Sequence, residues 1–369
     1  MKKFLSMMLT AILVLSMSTV AFAAETTITG GYTDTEDNNK IESQPDADGN
    51  YVDTVAIDLK KVYKLTTENT SNPAEIFTFK VENFGVTDSQ YTLSDMPSLE
   101  DNYTISFNEG EATKDGDINT TLITLPEYEH VGIFTYKFTE EQENTAGVTY
   151  DANALYLKVT VIEQNGKVRV AALHYETEDG SKTESFTNTY SAGSLEITKT
   201  VTGNMGEKDR YFEVTVTLTG EEDKEYAEAY TVTGGSYSEN PGSIAIGTPT
   251  KFYLKDGETI TIANLPYNVT YAVKETDYTS SDSYDPAEYK LNGTLMNSKD
   301  EDGNIVALES GIEKEKLDSS SEIVAITNNK GTTVDTGITL DSAPYMMMLI
   351  IAAAGIAFFL AKKRRYTED

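Results

Sequence analysis

The sequence predicts an all-β protein: two tandem antiparallel β-sandwich domains, with an N-terminal signal peptide before them and a C-terminal transmembrane helix after them. Three observations lead there. Short runs that alternate apolar or aromatic with polar residues recur along the middle of the chain, as half-buried strands do. No amphipathic helix interrupts them before the C-terminal apolar stretch. The pattern of the first half returns in the second, so one domain plan is used twice.

The elements follow in order. Residues 1–23 read as a secretory signal peptide: Lys2 and Lys3, an apolar stretch from Phe4 to Val20, and the small-residue cleavage pattern Ala21-Phe22-Ala23. Residues 24–50 are an acidic segment, either an unstructured lead-in or a strand that completes a neighbour. Residues 51–191 form the first domain, with strands at 76–81, 132–140, 155–161 and 167–174. Gln164-Asn165-Gly166 marks a hairpin between the last two. Residues 192–331 form the second domain, with a strand at 211–218 and Asp256-Gly257 read as another hairpin turn between 252–254 and 259–262. The joint from Tyr190 to Ser194 is short, which implies little freedom between the domains. Residues 332–369 close the chain with a motif at 333–337, an uncharged apolar run at 343–361 just long enough to span a bilayer, and a tail from 362 to 369 that opens with Lys362, Lys363, Arg364 and Arg365. Basic residues stay on the cytoplasmic side, so everything before the apolar run lies outside.

Composition excludes several functions. Sixty acidic residues stand against 29 basic ones, which argues against nucleic acid as a partner. Export would permit disulfides, but the chain has no cysteine, so any crosslink must be of another kind. His130 and His174 are the only histidines, and no cluster has metal-ligand spacing, so neither a metal site nor a cofactor is expected. Asp46-Ala47-Asp48-Gly49-Asn50 and Asp300-Glu301-Asp302-Gly303-Asn304 lack the distal glutamate of a calcium loop and read as acidic turns.

The repeat carries the chemistry. Leu59-Lys60-Lys61-Val62 matches Ile197-Thr198-Lys199-Thr200-Val201; Tyr136-Lys137-Phe138-Thr139-Glu140 matches Tyr271-Ala272-Val273-Lys274-Glu275; Phe186-Thr187-Asn188 matches Ile326-Thr327-Asn328. Lysine and glutamate are 79 residues apart in the first copy and 76 in the second; glutamate and asparagine are 48 and 53 apart. Strand alternation puts Lys61, Glu140 and Asn188, and likewise Lys199, Glu275 and Asn328, on apolar faces where isolated charges are disfavoured. Either each trio is a buried ion pair with a hydrogen-bonded asparagine, or it is something more. Lys60 adjoins Lys61 but faces the other way.

Two resemblances bear on this. Thr333-Val334-Asp335-Thr336-Gly337, followed by the apolar run and the basic tail, resembles the sorting signals of sortase substrates, in the Val-x-Thr-Gly form seen in pilins; Asp335 stands where proline is common. Through Leu59 to Val62, Phe186 to Tyr190, Leu195 to Gly203 and this signal, the chain resembles the streptococcal-type backbone pilins of Gram-positive bacteria. That resemblance implies immunoglobulin-like, CnaB-like sandwiches with self-made Lys–Asn isopeptide bonds: Lys61 to Asn188 assisted by Glu140, and Lys199 to Asn328 assisted by Glu275. It implies cleavage by a sortase between Thr336 and Gly337 and transfer of the Thr336 carboxyl to an amine of a neighbouring copy. Attachment to cell-wall peptidoglycan and the company of minor pilins follow as further partners. The protein is then a structural subunit on the cell surface and not an enzyme with turnover. No Tyr-Pro-Lys pilin motif is present; by position the acceptor is Lys182, in the polar loop before the last strand of the first domain. The alternative is a monomeric wall-anchored adhesin that uses the same domains as a stalk.

Overall fold

In the computed structural model the described residues are 53–331, with Gly49, Tyr51 and the backbone of Tyr32–Thr33 and Lys40–Glu42. The signal peptide, the 333–337 motif, the apolar run and the basic tail lie outside them. No helix among the described residues is long and apolar enough to cross a membrane. The one α-helical segment among them is a single turn, Thr279–Asp282.

The first half of the chain forms β1 (Tyr32–Thr33), β2 (Lys40–Glu42), β3 (Ala56–Leu65), β4 (Glu75–Thr87), β5 (Asn102–Phe107) and β6 (Asp117–Thr124). It continues with β7 (Gly132–Glu140), β8 (Val148–Thr149), β9 (Ala154–Gln164), β10 (Lys167–Glu176) and β11 (Ser185–Tyr190). A seven-stranded sheet ordered β1-β2-β10-β9-β7-β4-β5 packs on a four-stranded one ordered β6-β3-β11-β8. Strict alternation along β7 buries Phe134, Tyr136 and Phe138 between the sheets and leaves their neighbours partly exposed. Asn165 and Gly166 both take left-handed backbone angles, φ 56° and 77°, and join β9 to β10 in the two-residue hairpin expected of that pair. From the 24–50 segment, β2 adds to the free edge of β10 and β1 adds to β2, so these pieces extend the chain's own sheet.

The second half forms β12 (Ala192–Thr202), β13 (Phe212–Thr219), β14 (Tyr230–Gly234), β15 (Ser243–Ile244), β16 (Thr250–Leu254) and β17 (Thr259–Pro266). Then come β18 (Thr270–Glu275), β19 (Glu288–Leu291), β20 (Thr294–Leu295), β21 (Ile312–Lys316) and β22 (Ser321–Asn329). Here the sheets are ordered β15-β14-β17-β12-β22-β19-β20 and β16-β13-β18-β21. Asp256-Gly257 does turn the chain, but not as a hairpin: β16 pairs with β13 and β17 pairs with β12 and β14. The turn crosses from one sheet to the other, because the apolar faces of the two strands must meet across the core and not along one sheet.

One residue, Ser191, separates β11 from β12. Around it the halves clasp each other. The Ser71 N–H donates to Asn264 Oδ1 at 2.9 Å, while Asn264 Nδ2 donates to the Ser71 carbonyl at 2.8 Å. The Ala146 N–H donates to the Glu225 carbonyl and the Glu225 N–H to the Asn144 carbonyl, each at 2.9 Å. Gly147 permits the approach: at φ 80°, a Cβ there would lie 2.7 Å from the Ser191 carbonyl oxygen.

Candidate functional site

First and last strands lie side by side in each sandwich, and they run parallel. β3 pairs with β11 so that Lys61 faces Phe186, with Asn188 two residues further on opposite Tyr63. β12 pairs with β22 in the same offset: Lys199 faces Ile326, and Asn328 lies opposite Val201. Because side chains repeat every two residues, lysine and asparagine then share the inward face. The acid comes across the core from the other sheet. Glu140 ends β7 opposite Phe79 of β4, and Glu275 ends β18 opposite Val214 of β13. Burial is nearly complete, with exposures of 0, 6 and 0% for Lys61, Glu140 and Asn188 and 1, 4 and 1% for Lys199, Glu275 and Asn328.

The two sites are wired differently. In the first, Lys61 Nζ donates to Glu140 Oε2 at 2.6 Å and Asn188 Nδ2 donates to Glu140 Oε1 at 2.5 Å, so one carboxyl group spans amine and amide. The Asn188 Oδ1 accepts the Asp151 N–H at 2.7 Å. In the second, Lys199 Nζ donates directly to Asn328 Oδ1 at 2.5 Å. It also pairs with Glu275 Oε1 at 2.8 Å, and the same carboxyl group lies against the Asn328 amide. Aromatic rings close over each amine: Lys61 Nζ is 4.7 Å from the Phe77 ring centre, and Lys199 Nζ is 4.3 Å from that of Phe212.

Burial decides the electrostatics. It pushes the Lys61 ammonium down to about 8 against the opposing pull of Glu140, and it lowers Lys199 in the same way. It raises Glu140 and Glu275 above the usual carboxylate range, although the lysines pull them back. Desolvation therefore shifts each pair toward a neutral amine beside a neutral carboxylic acid. Such a pair can carry out nucleophilic attack with general-acid help, and the asparagine amide is the electrophile within reach.

The other residues singled out in the sequence fall elsewhere. Lys60 points away from the core and pairs with Glu184 at 2.6 Å. Lys182 is exposed at the exit of a tight loop, bridged to Glu176 at the end of β10 and three residues before β11. Asp300 binds its own turn, accepting from the Asn304 N–H at 2.8 Å. Val334, Asp335, Thr336 and Gly337 are outside the described residues. Sequence reasoning missed Asp151. A signal was there: Tyr150-Asp151, with Asp151 11 residues after Glu140, recurs as Tyr284-Asp285, with Asp285 10 residues after Glu275, and Asp151 opens an Asx turn in which its Oδ1 accepts the Asn153 N–H at 3.0 Å.

Residues 57–191 match the family model described as the Spy0128-like isopeptide containing domain, and residues 193–308 match a domain of unknown function, DUF7601. The chain is 28% identical over 325 residues to a curated protein called pilin from Streptococcus pyogenes serotype M1, covering 85% of this chain and 92% of the relative. The crystal structure of the major pilin from Streptococcus pyogenes superposes with a TM-score of 0.50 at 23% identity, over 76% of this chain and all of that one, and shows the same fold.

Proposed function

We propose that this chain, which resembles the streptococcal major pilins, is the repeating structural subunit of a covalently polymerised pilus on a Gram-positive cell surface. One observation carries the reading: both sandwiches bury a lysine and an asparagine on neighbouring first and last strands in the same register, with a glutamate facing them from the other sheet. Each trio makes an isopeptide bond once. The lysine lone pair attacks the asparagine Cγ, and the carbonyl pair moves to Oδ1. The glutamic acid gives a proton to Nδ2 and receives one from Nζ; the Cγ–Nδ2 bond breaks, ammonia leaves, and the carbonyl re-forms. Folding supplies the alignment, so no outside enzyme is needed for this step. The product joins the first strand to the last, and load along the chain can no longer peel the sheet open.

Polymerisation is a separate step. A sortase cleaves after Thr336 and passes its carboxyl to Lys182 of the next copy; a head-to-tail link of this kind builds an open filament. The terminal subunit passes instead to cell-wall peptidoglycan, and minor pilins join at the ends. The exposure of Lys182 and its place just before the last strand support it as the acceptor.

Intact mass of the soluble ectodomain tests the crosslinks: a chain lighter than its sequence by two ammonia molecules is expected, and an unmodified mass overturns them. A ladder on a denaturing gel of cell-wall extract tests the polymer. Its collapse in a Lys182→Ala strain identifies the acceptor, and a single band in the wild type would favour the wall-anchored adhesin.

A further inference from the structure

The first site holds a contact that the crosslinking reaction, as stated, leaves unused. Asn188 Oδ1 is the atom on which negative charge develops when an amine attacks Cγ, and a backbone N–H already points at it: Asp151 N lies 2.7 Å away. A backbone N–H can only donate, so the contact also fixes which way round the buried amide sits. Nδ2, the leaving group, is thereby turned to Glu140 Oε1, while the attacking Lys61 Nζ is held on Oε2 of the same carboxyl.

The donor belongs to a loop between β8 and β9, where backbone positions are ordinarily loose. Here the loop is tied to the strand that carries the electrophile. The Asp151 carboxylate accepts the Thr187 N–H on Oδ2 at 2.9 Å, one residue before Asn188. Its Oδ1 accepts both the Asn153 N–H at 3.0 Å and Asn153 Nδ2 at 2.8 Å. Gln142 Nε2 holds the Asp151 carbonyl at 3.0 Å. One residue thus grips β11 with its side chain and presents its own amide to the neighbouring side chain on that strand. In the second site the described hydrogen bonds give Asn328 Oδ1 no backbone donor; it faces Lys199 Nζ.

We propose that the Asp151 N–H is the oxyanion donor of the first-domain crosslinking reaction, and that the Asp151 carboxylate is the positioning group that aims it. The inference rests on the isopeptide reading above. As Nζ attacks Cγ, the carbonyl electron pair collects on Oδ1 and the Asp151 N–H stabilises it. Glu140 takes a proton from Nζ on one oxygen and delivers one to Nδ2 from the other; the Cγ–Nδ2 bond breaks, ammonia departs, and the pair returns from Oδ1 to re-form the amide carbonyl. A preorganised donor of this kind is worth roughly a 10²–10³-fold rate effect.

The test is a chase of freshly translated full-length chain, acid-quenched at intervals, with ammonia loss at each site followed by peptide mass. The second site in the same molecule serves as an internal clock. Asp151→Ala is expected to slow the first site about 100-fold and leave the second unchanged. Asp151→Asn keeps an acceptor for the Thr187 N–H without the charge, and is expected to stay within about tenfold of wild type. Replacing Asp151 by malic acid, its α-hydroxy counterpart, deletes the N–H and keeps the side-chain clamp; this chain is expected to be as slow as Asp151→Ala and to decide the matter if Asp151→Ala does not fold. Wild-type speed in Asp151→Ala or in the ester chain overturns the inference. So does an Asp151→Asn chain as slow as Asp151→Ala, since that assigns the effect to the carboxylate charge. A wild-type chain that loses no ammonia at either site overturns the crosslinking reading instead, which is a different result.

Discussion

The two buried trios share one register, one residue set and one depth of burial, yet differ in what holds the amide. In the first sandwich a single glutamate bridges Lys61 and Asn188, and a backbone N–H from a clamped loop takes the amide oxygen. In the second, the lysine itself donates to that oxygen while it also pairs with the glutamate. The surrounding sheets differ as well: β3 and β11 sit in the four-stranded sheet of the first domain, whereas β12 and β22 sit in the seven-stranded sheet of the second. Register alone therefore brings nucleophile and electrophile together. The loops that happen to pass the site decide how its charges are handled.

Substitutions at the two sites should set them apart. The largest effect is expected from the acids. Glu140→Ala removes the carboxyl group that holds both the Lys61 amine and the Asn188 amide, and on the proposed reaction the first site should slow by about 10²–10⁴-fold while the second still closes, leaving a chain lighter by one ammonia. Glu275→Ala should give the mirror result. Mass and peptide mapping read both, and a Glu140→Ala chain that still loses two ammonia molecules would sink the assignment.

Next come the bonds themselves. Lys61 and Asn188 are 127 residues apart and Lys199 and Asn328 129, so the two proposed crosslinks would restrict the unfolded chain almost equally. Each is worth about 4–5 kcal/mol by loop-closure entropy. Lys61→Met and Lys199→Met should each lower the melting temperature of their own domain by roughly 10–20 °C in scanning calorimetry. Similar losses would confine the difference between the sites to kinetics; a marked inequality would mean that native-state contacts matter more than loop length.

The pH dependence separates the sites further. At the first site the amine is protonated below about 8 and the acid is ionised above its raised value. The state that holds one proton between them is fullest between those limits, so the rate of ammonia loss should trace a bell, falling as pH drops through the Glu140 value and again as pH rises past about 8. A rate flat from pH 5 to 10, an interval that lies between the ordinary values of about 4.3 and 10.4, would exclude the shifted acid–amine pair. The smallest effect concerns the joint. Asn264→Ala removes both side-chain hydrogen bonds to Ser71, about 1–3 kcal/mol of contact between the halves, and residual dipolar couplings should show looser alignment while both crosslinks still form.

Much of this was written in the sequence. Period-two alternation fixes the inward face of a strand without any knowledge of its neighbours, which is why Lys61, Glu140 and Asn188 could be set on apolar faces from their spacing to Leu59, Phe138 and Phe186. Asn165-Gly166 specified its own hairpin, because both positions need left-handed backbone angles. Asp256-Gly257 shows the limit: the same local chemistry turns the chain between sheets as readily as within one, and only the pairing of β16 with β13 and of β17 with β12 settles which.

The sequence by itself determined that the two domains are built of β-strands, that one plan is used twice, and that each copy hides a lysine, a glutamate and an asparagine. These are local properties, set by the alternation of side chains and by the cost of burying a lone charge. Only the tertiary structure decided that first and last strands run parallel with the same two-residue offset, that the acid arrives from the facing sheet, and that Asp151 comes to rest against Asn188. Those facts depend on which strands become neighbours, and hydrogen bonds between strands more than a hundred residues apart leave no mark on the residues between them.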